Sequence, residues 1–383
     1  MPDRQIPYGR QRLDDDDVDA VVQALRSDFL TIGPRVAAFE RDLERVTGAA
    51  HAVVLSSGTA ALHAAYAAIG LGPGDEIITS PLTFAATANA ALYLGARPVF
   101  VDVNPSTGNI DPGAVEAAIT PATKAIVAVD FAGLPADYDA LREIAQRHGL
   151  SLLSDAAHSL GATYRGRSVG TLADATTLSF HPVKVITTGE GGAVLTADPD
   201  LAERVRGFRS HGIVRDPARL RRVDGAWHHE MQSLGYNYRL TDLQAALGSS
   251  QLRKLDRFIE RRRAIATRYQ DAFAPFDSVM RPSVPAWAEP AWHLYVLRVA
   301  GDPARRRPFF EHLRAAGLGV QLHYIPVHLH PYYEDLGYRR GMCPIAEDFS
   351  ARSVSIPIFP GLTDDDVEYV VVVVSRAIEE VVG

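Results

Sequence analysis

The feature of this 383-residue sequence that most restricts its fold is a regular alternation, starting near residue 50, of short β-branched runs with alanine- and leucine-rich helical stretches. Each run is long enough for a buried strand, and most are followed by a helical stretch long enough to lead back to the next strand. This alternation is typical of a mostly parallel sheet covered by helices. The predicted strands are 52–55, 76–79, 98–101, 125–129, 150–153, 175–180 and 192–196, with helices at 60–69, 85–94 and 138–148.

The pattern changes after residue 175. No helical stretch separates the last two predicted strands, so we expect a hairpin or an antiparallel strand there. From Thr241 and Asp242, a favourable pair for starting a helix, one long helical pattern runs towards Phe273 and is interpreted as a bridge between domains. The remaining predicted elements are strands at 293–299 and 320–325, and a last helix that begins at Thr363.

Size and composition restrict the class of protein. With 47% hydrophobic residues the chain can bury a full core, and we expect a large α/β domain over residues 1–250 and a smaller α+β domain over residues 251–383. No charge-free apolar run approaches the ~20 residues of a membrane helix, and the N-terminus lacks a signal-peptide layout. We therefore expect a cytoplasmic protein without a membrane partner. The formal net charge of −7 gives no general attraction to nucleic acid.

Three segments lie at the carboxyl ends of predicted strands, the edge at which open α/β sheets bind ligands. In the first, Ser57, Gly58 and Thr59 stand between a strand and a helix. Backbone N–H groups and the helix dipole at such a position favour a phosphate. The same residues are also common material for turns and helix caps, so both interpretations stay open.

The second segment carries Asp155, directly after a predicted strand, with His158 one helical turn later. A carboxylate at this edge would face a ligand. A pyridine ring needs such an anion beside its nitrogen, because a protonated ring nitrogen lets the ring accept electrons. The alternative is an aspartate that only caps the following turn.

The third segment closes another strand with Ser179 and continues to Lys184, which is flanked by Val183, Val185 and Ile186. Most lysines are exposed, and this one could be as well. Apolar neighbours, however, would lower its pKa and free the amine to act as a nucleophile and a proton carrier.

Together these segments resemble the DegT/DnrJ/StrS family of sugar aminotransferases over nearly the whole chain. The matching motifs are Ser57-Gly58-Thr59, Asp155-Ala156-Ala157-His158, Ser179-Phe180-His181-Pro182-Val183-Lys184, Gly189-Glu190-Gly191-Gly192, Gly235-Tyr236-Asn237-Tyr238-Arg239 and His323-Tyr324-Ile325-Pro326-Val327-His328. The resemblance implies the aspartate aminotransferase-like (type I) fold of enzymes that use pyridoxal 5′-phosphate (PLP).

The resemblance also implies a role for individual residues. Lys184 corresponds to the lysine that bonds covalently to the cofactor, and Asp155 to the partner of the ring nitrogen. The implied contacts of the cofactor phosphate are Ser57, Gly58, Thr59 and Ser179, and those of its ring are Phe84 and His158. Asn237 is implied to reach the phosphate of the cofactor bound to a second subunit. Tyr8, Thr31 and His328 are the implied substrate contacts. The contact of Asn237 implies a homodimer. No metal ion is expected at the site.

The implied reaction moves an amino group from L-glutamate to C4 of a nucleotide-linked 4-keto-6-deoxy sugar. UDP-2-acetamido-2,6-dideoxy-β-L-arabino-hex-4-ulose, of pseudaminic acid biosynthesis, is the expected acceptor, with other UDP-, dTDP- or GDP-linked 4-keto-sugars as the alternative. A PLP-dependent sugar 3-dehydratase of the same fold is a further alternative. Such members of the family carry histidine at this position, so Lys184 argues against it.

Two further classes of protein are weaker interpretations. A nicotinamide-dependent dehydrogenase needs a Gly-x-Gly-x-x-Gly turn after an early strand, whereas the glycines at 70–74 follow a predicted helix and have the wrong spacing. A metal binder built on His323, His328 and His330 would need converging ligands, but on an extended segment the first two would point to opposite faces.

Overall fold

The computed structural model describes residues 4–383. The expectation that the N-terminus lacks a signal peptide rests partly on residues 1–3, which lie outside this range. Its helices largely follow the predicted pattern. They are α1 (Asp15–Leu25), α2 (Pro34–Thr47), α3 (Gly58–Ala68), α4 (Ala86–Leu92), α5 (Pro112–Ala117), α6 (Tyr138–His148), α7 (Pro199–Arg209), α8 (Asp242–Leu252), α9 (Leu255–Phe273), α10 (Arg306–Ala315), α11 (Pro331–Asp335), α12 (Pro344–Arg352) and α13 (Asp364–Ala377).

The strands form one large sheet and three small ones. They are β1 (His51–Leu55), β2 (Glu76–Thr79), β3 (Arg97–Phe100), β4 (Thr123–Val129), β5 (Ser151–Asp155), β6 (Thr163–Tyr164), β7 (Arg167–Ser168), β8 (Ala175–Ser179), β9 (Gly192–Thr196), β10 (Ile213–Val214), β11 (Glu230–Met231), β12 (Val279–Met280), β13 (Ala288–Glu289), β14 (Tyr295–Val299) and β15 (Ser353–Ile356).

The large sheet has the strand order β1-β9-β8-β5-β4-β2-β3. β9 pairs antiparallel with both β1 and β8, whereas the pairs from β8 to β3 are parallel. The predicted mostly parallel α/β fold is confirmed, and so is the hairpin between the last two strands. Because β1 runs in the same direction as β8, β5 and β4, the carboxyl ends of these strands meet at one edge.

Helices cover both faces of the large sheet, since alternate residues of a strand point to opposite faces. Val53 and Leu55 of β1 pack with α3 and α7 on one face, in a cluster rich in alanine. Ala52 and Val54 pack on the other face, with α2, α6 and α8. The close packing of small side chains lets the helices approach the sheet and bring their N-termini to its edge.

A second core joins the sheet β12-β14-β15 to α9, α10 and α13. The helix predicted from Thr363 is confirmed, with Thr363 as its capping residue. Its β-branched run is compatible with the helix because Val370, Val371 and Val374 pack into this core. Ile6 also lies in this core, so the N-terminal segment runs along the smaller unit. The division at residue 250 stays a prediction.

Two predicted elements differ from the structure. The long helix from Asp242 to Phe273 is interrupted at Lys254, where the backbone leaves the helical conformation and the side chain forms ion pairs with Asp14 and Asp17. The strand predicted at 320–325 is wrong. It pairs at one position, Gln321 with Ser355, because the chain then turns towards the edge of the large sheet.

Candidate active site

A cavity of about 500 Å³ opens at the carboxyl edge of the large sheet. It brings together residues that are far apart in the sequence but follow neighbouring strands. Of the residues for which the family resemblance implies a role, those that line it are Tyr8, Ser57, Gly58, Thr59, Phe84, Asp155, His158, Ser179 and Lys184.

The first wall is the N-terminus of α3. Ser57 caps the helix by accepting a hydrogen bond from the backbone N–H of Ala60 at 3.1 Å. Gly58 packs so closely on the neighbouring strand that a Cβ atom would lie 2.8 Å from the Cβ of Ser179. The first N–H groups of a helix have no carbonyl partner one turn back, so this end can bind an anion. Capping and anion binding therefore coexist at these residues.

Asp155 ends β5 and is buried, with 6% of its surface exposed. Its Oδ2 accepts a hydrogen bond from the Thr87 hydroxyl at 2.6 Å, and its Oδ1 accepts one from the backbone N–H of Ala157 at 3.2 Å. Burial raises the pKa of this carboxyl group, while these two donors and the charge of Lys184 oppose the rise. A cationic group against Asp155 would favour its ionised form.

Lys184 lies in a turn after β8, where its backbone N–H donates to the carbonyl of His181 at 2.9 Å. Val185 and Ile186 are buried in the core of the large sheet, as their apolar character predicts. The side chain is half-buried in the cavity, and burial lowers its pKa to about 8 despite the opposing attraction of Asp155. A substantial fraction of this amine is therefore neutral near pH 8.

His158 faces the cavity within a group of aromatic side chains. Its Nε2 lies 3.0 Å from the hydroxyl of Tyr324, and its ring centroid lies 4.3 Å from that of His293. Burial lowers the pKa of both histidines well below the usual value, and the charge of Lys184 acts in the same direction. Both rings are therefore neutral near pH 7, and they provide polar contacts without positive charge.

Phe84 and Tyr8 provide aromatic surface at the cavity. Phe84 lies two residues before the start of α4 and is 64% exposed, which leaves its ring accessible for stacking. The ring of Tyr8 lies 5.4 Å from that of His323, another cavity residue. The structure places both side chains at the cavity.

Several cavity residues were missed from the sequence. Thr87 is the second residue of α4, and its contact with Asp155 depends on the pairing of strands that the sequence does not specify. His293, His323 and Tyr324 come from the C-terminal part of the chain. The motif at 323–328 was a signal for the last two, but nothing in the sequence indicated that His293 would reach His158.

Three predicted residues lie outside the cavity. Thr31 is exposed and pairs with Thr241, and Asn237 is exposed and pairs with Ser210. His328 is fully buried, with Nε2 2.9 Å from the Oε1 of Glu347. A side chain with no exposed surface cannot contact a substrate, so the structure gives His328 a packing position instead of the expected substrate contact.

The structure also bears on the two weaker interpretations. The glycines at 70–74 lie in the loop that leads into β2, at the amino ends of the parallel strands and away from the cavity. His323 lines the cavity while His328 binds Glu347, so the two do not converge. Within residues 4–383, no group of three or more His, Cys, Asp or Glu side chains could hold a metal ion. No helix in that range is both long and apolar enough to cross a bilayer.

The cavity fits PLP by its chemistry. An anion site at α3, an open aromatic ring at Phe84, a buried carboxylate at Asp155 and an amine of lowered pKa at Lys184 surround one space. Each of these four groups suits one part of the cofactor: the phosphate, the pyridine ring, the ring nitrogen and the aldehyde, respectively.

Comparison with known proteins agrees with this chemistry. Residues 11–375 match the model of the DegT/DnrJ/EryC1/StrS aminotransferase family. The chain is 43% identical over 370 residues to the spore coat polysaccharide biosynthesis protein SpsC of Bacillus subtilis, covering 96% of this chain and 95% of SpsC.

Solved structures show the same fold. PseC of Helicobacter pylori, an aminotransferase involved in the biosynthesis of pseudoaminic acid, is 35% identical with a TM-score of 0.92, covering 98% of this chain and all (100%) of PseC. The PLP form of the putative sugar aminotransferase Spr1654 of Streptococcus pneumoniae is 30% identical with a TM-score of 0.93, covering 99% of this chain and 100% of Spr1654. The chain therefore belongs to the DegT/DnrJ/EryC1/StrS aminotransferase family and is a PLP-dependent sugar aminotransferase.

Proposed function

We propose that this protein transfers the amino group of L-glutamate to C4 of a nucleotide-linked 4-keto-6-deoxy sugar. The observation that carries the proposal is the meeting of the Lys184 amine and the buried Asp155 carboxylate in one cavity. The acceptor that we favour is UDP-2-acetamido-2,6-dideoxy-β-L-arabino-hex-4-ulose, because PseC is named for pseudoaminic acid biosynthesis. SpsC, named for a spore coat polysaccharide, leaves other 4-keto-sugars as the alternative.

Lys184 and Asp155 divide the chemistry. When bound, PLP supplies a ring that stores the electron pair left behind when a proton leaves the α-carbon of the donor. The neutral Nζ of Lys184 would accept that proton and then release it to the carbon that keeps the amino group, and its lowered pKa leaves part of the amine unprotonated for this task. The Asp155 carboxylate, oriented by the hydrogen bond from Thr87, would hold a positive charge at the ring nitrogen of the bound cofactor.

Other cavity residues hold the ligands. The N-terminus of α3, with Ser57, Gly58, Thr59 and the hydroxyl of Ser179, is proposed to bind the cofactor phosphate. Phe84 is proposed to stack on the ring. The neutral imidazole of His158, held by Tyr324, is proposed to lie beside the ring without adding a charge that would compete with Asp155.

The expected acceptor tests the proposal directly. Purified PLP-loaded protein, given L-glutamate and a panel of UDP-, dTDP- and GDP-linked 4-keto-sugars, should convert a UDP-linked 4-keto-sugar to an amino sugar. Mass spectrometry would show the exchange of the keto oxygen for an amino group. Turnover with only dTDP- or GDP-linked sugars would replace the favoured acceptor, and no turnover of any 4-keto-sugar would contradict the substrate class.

We further propose that the active form is a homodimer. The segment around β10 and β11 exposes large apolar side chains that its own chain does not cover, among them Trp227 at 78% and Leu234 at 77%. Exposed apolar groups that lie close together in one segment are typical of a protein interface. Asn237, the residue expected to reach a second subunit, is exposed three residues after Leu234. This position favours a contact with a second copy of the chain.

Replacing Trp227 and Leu234 together with glutamate is expected to weaken dimerisation at least about tenfold, because buried tryptophan contributes strongly to interfaces and a buried charge opposes association. Sedimentation velocity over a range of concentrations would measure the shift towards monomer, and kcat should fall with it. Val372→Glu, a change at an apolar residue exposed at 57% on α13, is the matched control. A double variant as dimeric as the control would contradict the assignment of this surface.

A further inference from the structure

Asp130 is a buried carboxylate that the proposed reaction does not use. It directly follows β4, has no exposed surface, and does not line the cavity. β4 is the neighbour of β5 in the sheet, and the backbone N–H of Asp130 donates to the carbonyl of Asp155 at 3.1 Å. The carboxyl group of Asp130 therefore lies directly behind the turn that begins at Asp155.

The oxygens of Asp130 bind that turn and the adjacent helix. Oδ2 accepts a hydrogen bond from the hydroxyl of Ser159 at 2.5 Å. Oδ1 accepts bonds from the hydroxyl of Tyr138 at 2.8 Å and from the backbone N–H of Ala136 at 3.0 Å. Since the Tyr138 proton is given to Asp130, the donor in the 2.5 Å contact between Tyr138 and Ser154 is the serine. Ser154 precedes Asp155, so the network holds the turn from both ends.

The loop that follows Asp130 packs against the same turn. Gly133 has a φ of +91°, and a Cβ atom there would lie 2.8 Å from the carbonyl oxygen of His158 and 3.0 Å from the nitrogen of His293. The backbone of this loop therefore contacts the segments that carry both neighbouring histidines. A shift of Asp130 would be transmitted to both sides of the cavity.

We propose that Asp130 is a positioning residue that sets the orientation of Asp155 and His158, acting through Ser159 and Ser154. The inference rests on the proposed function of Asp155 and His158. Asp130 touches neither cofactor nor substrate, and its action is mechanical. It fixes the turn from residue 155 to residue 159 against the end of β4. Small displacements at a reacting site lower rates strongly, which makes such a support important.

Variants of the hydrogen-bond network test the positioning role of Asp130. Ser159→Ala removes one hydroxyl group and should lower kcat about tenfold, and Asp130→Ala should lower it by about 10- to 100-fold, with smaller changes in the KM of either substrate. The double variant should be no slower than Asp130→Ala, because both changes break the same connection. Asp130→Asn should stay within about threefold of wild type, because its amide can donate to Ser159 and its oxygen can accept from Ala136.

A control separates positioning from general destabilisation. Ser353→Ala removes another buried serine hydroxyl, which donates to the carbonyl of Phe349 at 2.7 Å in the second core, and should leave kcat unchanged. If Ser159→Ala matches this control in kcat and in PLP affinity measured by absorbance titration, the proposal is overturned. Should Asp130→Ala fail to fold, Ser159→Ala decides alone.

The pH dependence of stability gives a readout that needs no cofactor. Burial raises the pKa of Asp130 to about 7, and the negative charge of Asp155 adds to the effect while the hydrogen bonds from Ser159, Ala136 and Tyr138 oppose it. Asp155 and Tyr138 are the titratable groups that act on it from β5 and α6. A raised carboxyl pKa stabilises the folded state at low pH, and this stabilisation is lost as pH rises from about 4 through the folded pKa.

Thermal unfolding of the cofactor-free protein should therefore show a wild-type melting temperature that falls relative to that of Asp130→Asn as the pH rises from about 4 to about 7. These limits are the pKa of Asp130 in the unfolded and in the folded protein, respectively. Parallel curves would overturn the assignment of Asp130 as a buried acid behind the turn. Asp155→Asn separates this inference from the proposed function. If that variant keeps full activity, the role proposed for Asp155 fails; if it is inactive while Ser159→Ala is normal, only the inference about Asp130 fails.

Discussion

Replacing Lys184 with alanine is expected to lower kcat for transamination by at least about 10³-fold, because the variant loses the group that moves the proton at the reacting carbon. The change also removes the covalent attachment point for the cofactor. Single-turnover measurements with L-glutamate, followed by absorbance, would separate a slow proton transfer from weak binding. The KM for the sugar should change little, since the outer cavity is left intact.

The chain offers a matched control for this variant. It has three lysines, and Lys124 is exposed on β4, so Lys124→Ala should keep wild-type kcat. Borohydride treatment of PLP-loaded wild type, followed by peptide mass spectrometry, should find the reduced cofactor on Lys184. Full turnover by Lys184→Ala, or cofactor fixed on another lysine, would contradict the role proposed for this residue.

Replacing Asp155 with asparagine is expected to lower kcat by about 10²- to 10³-fold, the usual cost of removing a buried electrostatic contact at a reacting centre. Asparagine has nearly the same shape and can still accept the hydrogen bond from Thr87, so the loss isolates the negative charge. Without that charge the ring nitrogen is no longer held protonated, and the ring stores electrons poorly. The rate of the half-reaction with L-glutamate is the measurement that checks it.

The partner of Asp155 provides a graded comparison. Thr87→Val removes the 2.6 Å hydrogen bond but leaves the carboxylate in place, so its effect on kcat should be smaller than that of Asp155→Asn. Circular dichroism would establish that both variants are folded. A half-reaction rate in Asp155→Asn equal to that of wild type would show that this carboxylate does not act on the ring nitrogen.

Much of the fold was predictable from local patterns. The helix at Tyr138–His148 and the strand at Gly192–Thr196 have the predicted bounds, because their periodicity and flanking turn residues act over a few positions. Lys184, Asp155 and the Ser57-Gly58-Thr59 turn were singled out because each lies at or shortly after the carboxyl end of a strand, and parallel strands share an edge. Long-range contacts in the C-terminal part of the chain could not be predicted from local patterns. The strand predicted at 320–325 is wrong because the chain turns there and brings His323 and Tyr324 to the cavity.

Residue types and local spacing marked an amine, a carboxylate and a helix N-terminus as candidates, because each has a local signature, and the resemblance to a known family then assigned their chemistry. The residues that hold these groups in position were found only in the tertiary structure. Thr87 meets Asp155, Asp130 binds Ser159, and His293 packs beside His158 through strand pairings and chain crossings that span 29 to 135 residues. Which distant side chains meet is set by the packing of whole elements around a core. No short stretch of sequence carries that information.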